Sequence, residues 1–238
     1  MNTIQRIFNQ QRVLIPVVHP VSEKIAGKSI DTAVSAGCKG IFLIDQGLST
    51  NEVLRLAMVT KQRYPNLWVG LNLLGMDLPE VYRRVEDSGL DGVWSDCTDT
   101  TVLGIDGLPD HRPGGKIPLF GGVAFKYQRP VADAYLERAA EIASMFVDVV
   151  TTSGSGTGIP APVDKVRRMK RGLGDKALGL ASGVTLDNVT NYLPHVSAFL
   201  VGTGVETSFG VLDFEKVNAL RLEIESYHTP AIKKRTYR

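Results

Sequence analysis

Val13-Leu-Ile-Pro-Val-Val-His-Pro-Val-Ser22 decides the fold class. Its first six residues are apolar without alternation, as a strand buried on both faces of a parallel sheet must be. It ends in His19-Pro20-Val21-Ser22, which holds no glycine. A doubly wound nucleotide-binding sheet would normally set a Gly-rich fingerprint there. Similar runs follow at Ile41–Ile44, Leu67–Leu71, Gly92–Trp94, Ile117–Phe120, Val147–Val150, Ala177–Leu180 and Ala198–Val201. Eight such runs in 238 residues, mostly separated by amphipathic stretches, predict an α/β protein. The expected architecture is a (β/α)8 TIM barrel, a single domain over residues 1–238, a fold that takes about 250 residues.

The separating stretches carry helix punctuation. Asn51 to Arg63 follows Ser49 and Thr50 and stops before Pro65, with Glu52 in its first turn. Pro79 to Asp87 ends at Gly89, and Val131 to Met145 is a long amphipathic segment. Pro162 to Arg171 has proline at its start and Gly172 after its end. Leu186 to Leu193 follows Thr185, and Phe214 to Tyr227 closes the fold. Cys97 to Lys116 resists a long helix, being rich in proline and glycine, and reads as a functional loop. From about residue 229 a basic tail with Lys233, Lys234, Arg235 and Arg238 reads as solvated.

Composition excludes several classes. With 43% hydrophobic and 22% charged residues, the chain is neither disordered nor fibrous. A net charge of +2 without a basic stripe argues against nucleic acid as a partner. No apolar run approaches the ~18 residues that span a bilayer, so no membrane association is expected. Met1 to Gln11 is polar and the run after it is broken by Pro16, His19 and Pro20, which does not describe a signal peptide. Cys38 and Cys97 cannot form a disulfide framework and suit a reducing compartment. The expected location is the cytoplasm, and a homo-oligomer is compatible with these features.

Barrel enzymes collect their reactive groups at the C-terminal ends of the strands. Those ends read His19, Asp45, Asn72, Asp96, Lys126, Thr152-Ser153, Ser182-Gly183 and Gly202-Thr203. Thr151-Thr-Ser-Gly-Ser-Gly-Thr-Gly158 offers alternating glycines that let backbone N–H groups approach an anion. It lacks the spacing of a P-loop. Ser182-Gly-Val-Thr185 and Gly202-Thr-Gly-Val-Glu206 repeat the theme after strands seven and eight, where barrels usually hold phosphate. The phosphate-binding candidates are therefore Gly154, Gly156, Ser182, Gly183, Gly202, Thr203 and Gly204. Asp45, Asn72, Thr152 and Ser153 are candidates for orienting the substrate.

Lys126, His19 and Asp96 are the catalytic candidates. A lysine at the mouth could neutralise a phosphate, polarise a carbonyl or form an imine, or serve only as a surface charge. Histidine titrates near neutrality and suits acid–base work, though a structural histidine reads the same way. Asp45 and Asp96 could share a Mg²⁺. His111, His195 and His228 show no zinc spacing, so neither a metal nor another cofactor is the main expectation.

Ile15-Pro-Val-Val-His19, Gly40-Ile-Phe-Leu-Ile-Asp45 and Gly70-Leu-Asn-Leu-Leu74 resemble stretches of the BtpA family of barrel proteins. Val123-Ala-Phe-Lys126, Thr152–Gly158, Ser182–Asn188 and Gly202-Thr203 continue the match in order. The resemblance covers most of the chain. It departs at Tyr127, where the family pattern would place histidine after the lysine. It implies a barrel related to the ribulose-phosphate and tryptophan-synthase α types, in a family associated with photosystem I biogenesis. Residues and resemblance together predict an enzyme acting on a phosphorylated small metabolite, a sugar phosphate or ribonucleotide-like compound. Isomerase, lyase and phosphoribosyl or glycosyl transfer chemistry all fit. The alternative is a non-catalytic BtpA-like assembly or binding protein that retains the anion site.

Overall fold

A computed structural model describes residues 1–98 and 115–227. The centre of the 97–116 stretch, the basic tail, His111 and His228 lie outside the described residues. Eight parallel strands close in sequence order, β1 pairing with both β2 and β8. They are β1 (Val13–Val18), β2 (Gly40–Ile44), β3 (Trp68–Asn72), β4 (Gly92–Ser95), β5 (Leu119–Gly122), β6 (Val149–Ser153), β7 (Leu178–Ala181) and β8 (Ala198–Val201). The expected TIM barrel is the observed fold.

Around the barrel pack α2 (Glu23–Ser35), α3 (Thr50–Arg63), α4 (Leu78–Ser88), α5 (Leu136–Ala143), α6 (Val163–Leu173) and α7 (Phe214–Ser226). The short α1 (Thr3–Phe8) precedes β1, and its Phe8 meets Trp68 edge-on at 5.5 Å. Side-chain caps start most of these helices: Ser22 for α2, Ser49 for α3, Asp77 for α4 and Asp213 for α7. Between α7 and β8 a hairpin of β9 (Glu206–Ser208) and β10 (Val211–Leu212) rises from the eighth strand end.

The barrel interior is aromatic. Phe42, Trp68, Trp94 and Phe120 interlock at centroid distances of 5.0–5.7 Å. Gly70 makes room for them, since a Cβ there would stand 2.4 Å from Phe42. The second core fills the space between strands and helices with Val, Leu, Ile and Ala.

Three helix expectations change. Val131 to Met145 is α-helical only over Leu136–Ala143, after a 3₁₀ turn at Asp133–Tyr135. Leu186 to Leu193 forms turns and a single 3₁₀ turn at Val189–Asn191, not an α-helix. Asn188 explains this: its side chain accepts the Thr185 N–H at 2.9 Å and donates to the Gly183 carbonyl at 2.8 Å, competing with the helical ladder. Gly172 does not end α6, which runs on to Leu173. A Cβ on Gly172 would lie 2.1 Å from the Glu137 carbonyl oxygen, so this glycine permits the close crossing of α5 and α6.

Candidate functional site

A cavity of about 470 Å³ opens at the C-terminal ends of the strands. Of the sequence-predicted residues, His19, Asn72, Asp96, Lys126, Ser182, Gly202 and Thr203 line it. Asp45, Thr152, Ser153, Gly154, Gly156, Gly183 and Gly204 are not among its lining residues.

Those seven instead tie the strand ends and loops to one another. Asp45 accepts the Thr50 hydroxyl at 2.8 Å and the Leu74 N–H at 2.6 Å, which ties the β2 and β3 loops together. Thr152 and Ser153 are fully buried within β6, because that strand runs past its apolar residues. Ser153 Oγ accepts the Lys126 N–H at 2.8 Å. The glycines let backbone pack on backbone: a Cβ at Gly154 or Gly183 would stand 2.0 and 2.4 Å from Ile159, and one at Gly204 1.9 Å from the Val184 carbonyl oxygen. The loops after β6, β7 and β8 are thereby drawn into one body.

Ser182 is the staple of that body. It holds a left-handed backbone at φ 82°, a conformation costly for a residue with a Cβ. Its hydroxyl accepts the Gly158 N–H at 3.0 Å and donates to the Gly156 carbonyl at 2.9 Å. The next two residues, Gly183 and Val184, are buried. Their N–H groups, and those of Thr203 and Gly204, donate to no acceptor among the described residues. Buried N–H groups without partners are rare, and the two at Gly183 and Val184, with the more exposed N–H groups of Thr203 and Gly204 in the adjacent loop, make an electropositive patch beside the cavity.

His19 Nδ1 lies 2.7 Å from Glu206 Oε1, with both side chains buried. A carboxylate partner requires a proton on Nδ1, so Nε2 is the ring nitrogen left for a ligand. Phe209, from the hairpin turn, lies over the imidazole at 4.8 Å. Gly202 backs onto the same ring, where a Cβ would come within 2.5 Å of Cε1. His19 and the loop after β8 are thus in direct contact.

On the far side of the floor, Asn72 donates to Asp96 Oδ1 at 2.9 Å. Burial pushes the Asp96 carboxyl up, against the opposing pull of the Asn72 hydrogen bond and the Lys126 charge. Lys126 Nζ reaches Thr157 Oγ1 at 3.3 Å. Tyr127 occupies the position where histidine was expected, at φ 61°, and its hydroxyl accepts the Thr157 N–H at 3.2 Å. Among the described residues no group of three or more His, Cys, Asp or Glu side chains could hold a metal ion. None of their helices is long and apolar enough to cross a membrane.

Two residues escaped the sequence reading. Glu206 lies five residues beyond β8, and only its place in the hairpin brings it back to His19. Lys165 of α6 donates to the Ala124 and Ser153 carbonyls, the latter at 2.7 Å, joining the β5 and β6 loops from below. Burial pushes its ammonium down to about 8.

No protein-family model matches the chain, and no curated protein does. Solved barrels do. Phosphoribosyl anthranilate isomerase from Thermus thermophilus aligns at TM-score 0.62 and 16% identity, covering 90% of this chain and 98% of its own. The 2-keto-3-deoxy-6-phosphogluconate aldolase of Zymomonas mobilis ZM4, solved with 3-phosphoglycerate, aligns at 0.66 and 15%, covering 96% and 98%. The (S)-3-O-geranylgeranylglyceryl phosphate synthase from Thermoplasma acidophilum, in complex with sn-glycerol-1-phosphate, aligns at 0.63 and 15%, covering 95% and 100%. At such identities the likeness establishes the shared barrel.

Proposed function

We propose that this barrel is an enzyme that binds a phosphorylated small metabolite and moves a proton on it, in an isomerase or lyase step. One observation carries the reading: His19, oriented by Glu206, shares its cavity with Ser182, Gly202 and Thr203, the residues by which the two loops with acceptor-free N–H groups reach it. The phosphate sits on the N–H groups of Gly183, Val184, Thr203 and Gly204, each a charge-assisted bond. His19 Nε2 takes and returns the proton, and Phe209 keeps bulk water from the ring. Lys126 stabilises the negative charge that develops on the substrate, and Asp96 with Asn72 orients its hydroxyl or carbonyl groups. Such a proton transfer requires no further cofactor.

The strand-end residues that resemble the BtpA family support placing the chain in it. A chain with only two cysteines, Cys38 and Cys97, suits a cytoplasmic location, and self-association is the oligomeric state to test by light scattering.

The experiment is a thermal-shift screen of phosphorylated metabolites, since a ligand of the native state raises the melting temperature. Compounds that stabilise the protein are then followed by NMR in D₂O. Exchange of a substrate C–H for deuterium, lost in His19→Gln, supports the reading. Binding with neither exchange nor conversion overturns it in favour of a non-catalytic binding protein.

A further inference from the structure

The cavity has two unlike walls. In a barrel whose strands close in sequence order, β3 lies across from β7 and β4 across from β8. Opposite the acceptor-free loops, the lining is Leu73, Leu74, Met76, Leu78 and Val81, from the β3–α4 connection and the start of α4. Leu74 is 45% exposed at the lip. Of the two charged side chains in that stretch, Glu80 pairs with Arg83 and Arg84 and is not among the lining residues, and Asp77 caps α4, where it accepts the Glu80 N–H. A bare sugar phosphate would press hydroxyls against this wall and leave them short of partners.

At the foot of the wall stands Trp94, on β4, only 4% exposed. Its indole N–H is buried and has no acceptor among the described residues. Phenylalanine would pack against Phe42 and Phe125 without that cost. An orphaned donor on a cavity-lining side chain points to a ligand acceptor.

We infer that the substrate is an organic phosphate whose far end is an apolar group of about ring size, with one acceptor atom that meets the Trp94 N–H. This rests on the phosphate reading of the opposite wall. The cavity, at about 470 Å³, lies within the range of roughly 300–1,000 Å³ that suits a ligand of that size.

The probes are inorganic phosphate, glycerol 1-phosphate, 1-naphthyl phosphate and the isomeric quinolyl phosphates, titrated calorimetrically. Naphthyl phosphate should bind at least ten-fold more tightly than either of the first two. Leu74→Asp, at an exposed position, should remove that gain and leave inorganic phosphate within two-fold. At least one quinolyl isomer should gain a further three-fold or so over naphthyl, and lose it in Trp94→Phe. Phosphate binding without an aryl gain, or a gain untouched by Leu74→Asp, overturns the apolar wall while the anion site stands. An aryl gain with no quinolyl isomer preferred overturns the role of Trp94. Absence of binding by every phosphate overturns the anion reading and this inference with it.

Discussion

His19 at the end of β1 and Glu206 after β8 meet at 2.7 Å across the seam where the barrel closes. The pair is 187 residues apart in sequence, so only closure of the sheet assembles it. Because the carboxylate fixes the proton on Nδ1, Glu206→Gln should leave a histidine of mixed tautomer. We expect turnover on a substrate found by screening to fall about 100-fold, or roughly 2.7 kcal/mol of transition-state stabilisation. Binding of that substrate should change little. Steady-state kinetics check this, and a KM rise with kcat unchanged would make Glu206 a binding residue instead.

Gly202 and Gly183 should respond differently to a side chain. At Gly202 a Cβ meets the His19 ring, so Gly202→Ala should displace the base and cut turnover at least ten-fold while the protein still melts cooperatively. At Gly183 the backbone is left-handed at φ 71° and the Cβ would strike the backbone of Ile159 and Pro160. Gly183→Val should therefore cost on the order of 3 kcal/mol or more of stability. It should weaken phosphorylated and dephosphorylated ligands together. Denaturant titration of both variants separates the two effects.

The strands were legible because burial on both faces leaves an unbroken apolar run, and Val13–Val18 and Ala198–Val201 coincide with their runs to the residue. β6 was cut short, since Thr151, Thr152 and Ser153 are polar although fully buried. The glycine loops were found, but Gly154, Gly183 and Gly204 meet neighbouring backbone, which no local pattern reveals. Glu206 depends on a contact between chain ends. Lys165 sits on α6 among Arg167, Arg168, Lys170 and Arg171, and nothing local distinguishes a lysine that turns inward from those that stay in water. Trp94 could be placed in its strand, yet the missing acceptor of its N–H shows only in three dimensions.

Lys126 should be dispensable for folding and necessary for turnover. It is half-buried at the mouth, and the one side-chain bond from its Nζ among the described residues goes to Thr157. Lys126→Met should lower turnover at least ~100-fold and move the melting temperature by a degree or so. Borohydride reduction with substrate present should leave no adduct, since Lys126 stands half-buried at the mouth, where it is placed to pair with substrate charge. A stable adduct on Lys126 would convert the proposed step into Schiff-base chemistry.

Asp96 carries a cost in stability. Burial pushes its carboxyl up, so the native state holds its proton to higher pH than the unfolded chain does. Stability from this group is lost as pH rises from the unfolded value through the folded one, and at neutral pH the ionised form is a cost. Asp96→Asn keeps an acceptor for Asn72 and removes the charge. It should stabilise the fold at pH 7 by about 0.5–2 kcal/mol, with no gain below pH 3 where both forms are neutral. Turnover should fall. Equal stability of the two proteins at pH 7 would show that the carboxyl is not desolvated.

Lys165 gives the pH dependence an opposite origin. Its ammonium, down to about 8 in the folded protein from 10.5, binds its proton more weakly there than in the unfolded chain. Below pH 8 both states are protonated and the buried charge is a constant penalty. Between about 8 and 10.5 the unfolded chain still holds a proton that the native state has released, so stability rises with pH there. Measured against Lys165→Met, which has no such group, the wild-type protein should gain on the order of 3 kcal/mol across that window. The comparison cancels the other titrating groups. The variant also strands the Ala124 and Ser153 carbonyls that the lysine holds, so it should loosen the β5 and β6 loops and weaken phosphate binding at every pH. Lys165→Arg, which keeps the donors but stays charged, should lose the pH-dependent gain. A flat stability difference between pH 8 and 10.5 would place the ammonium in water.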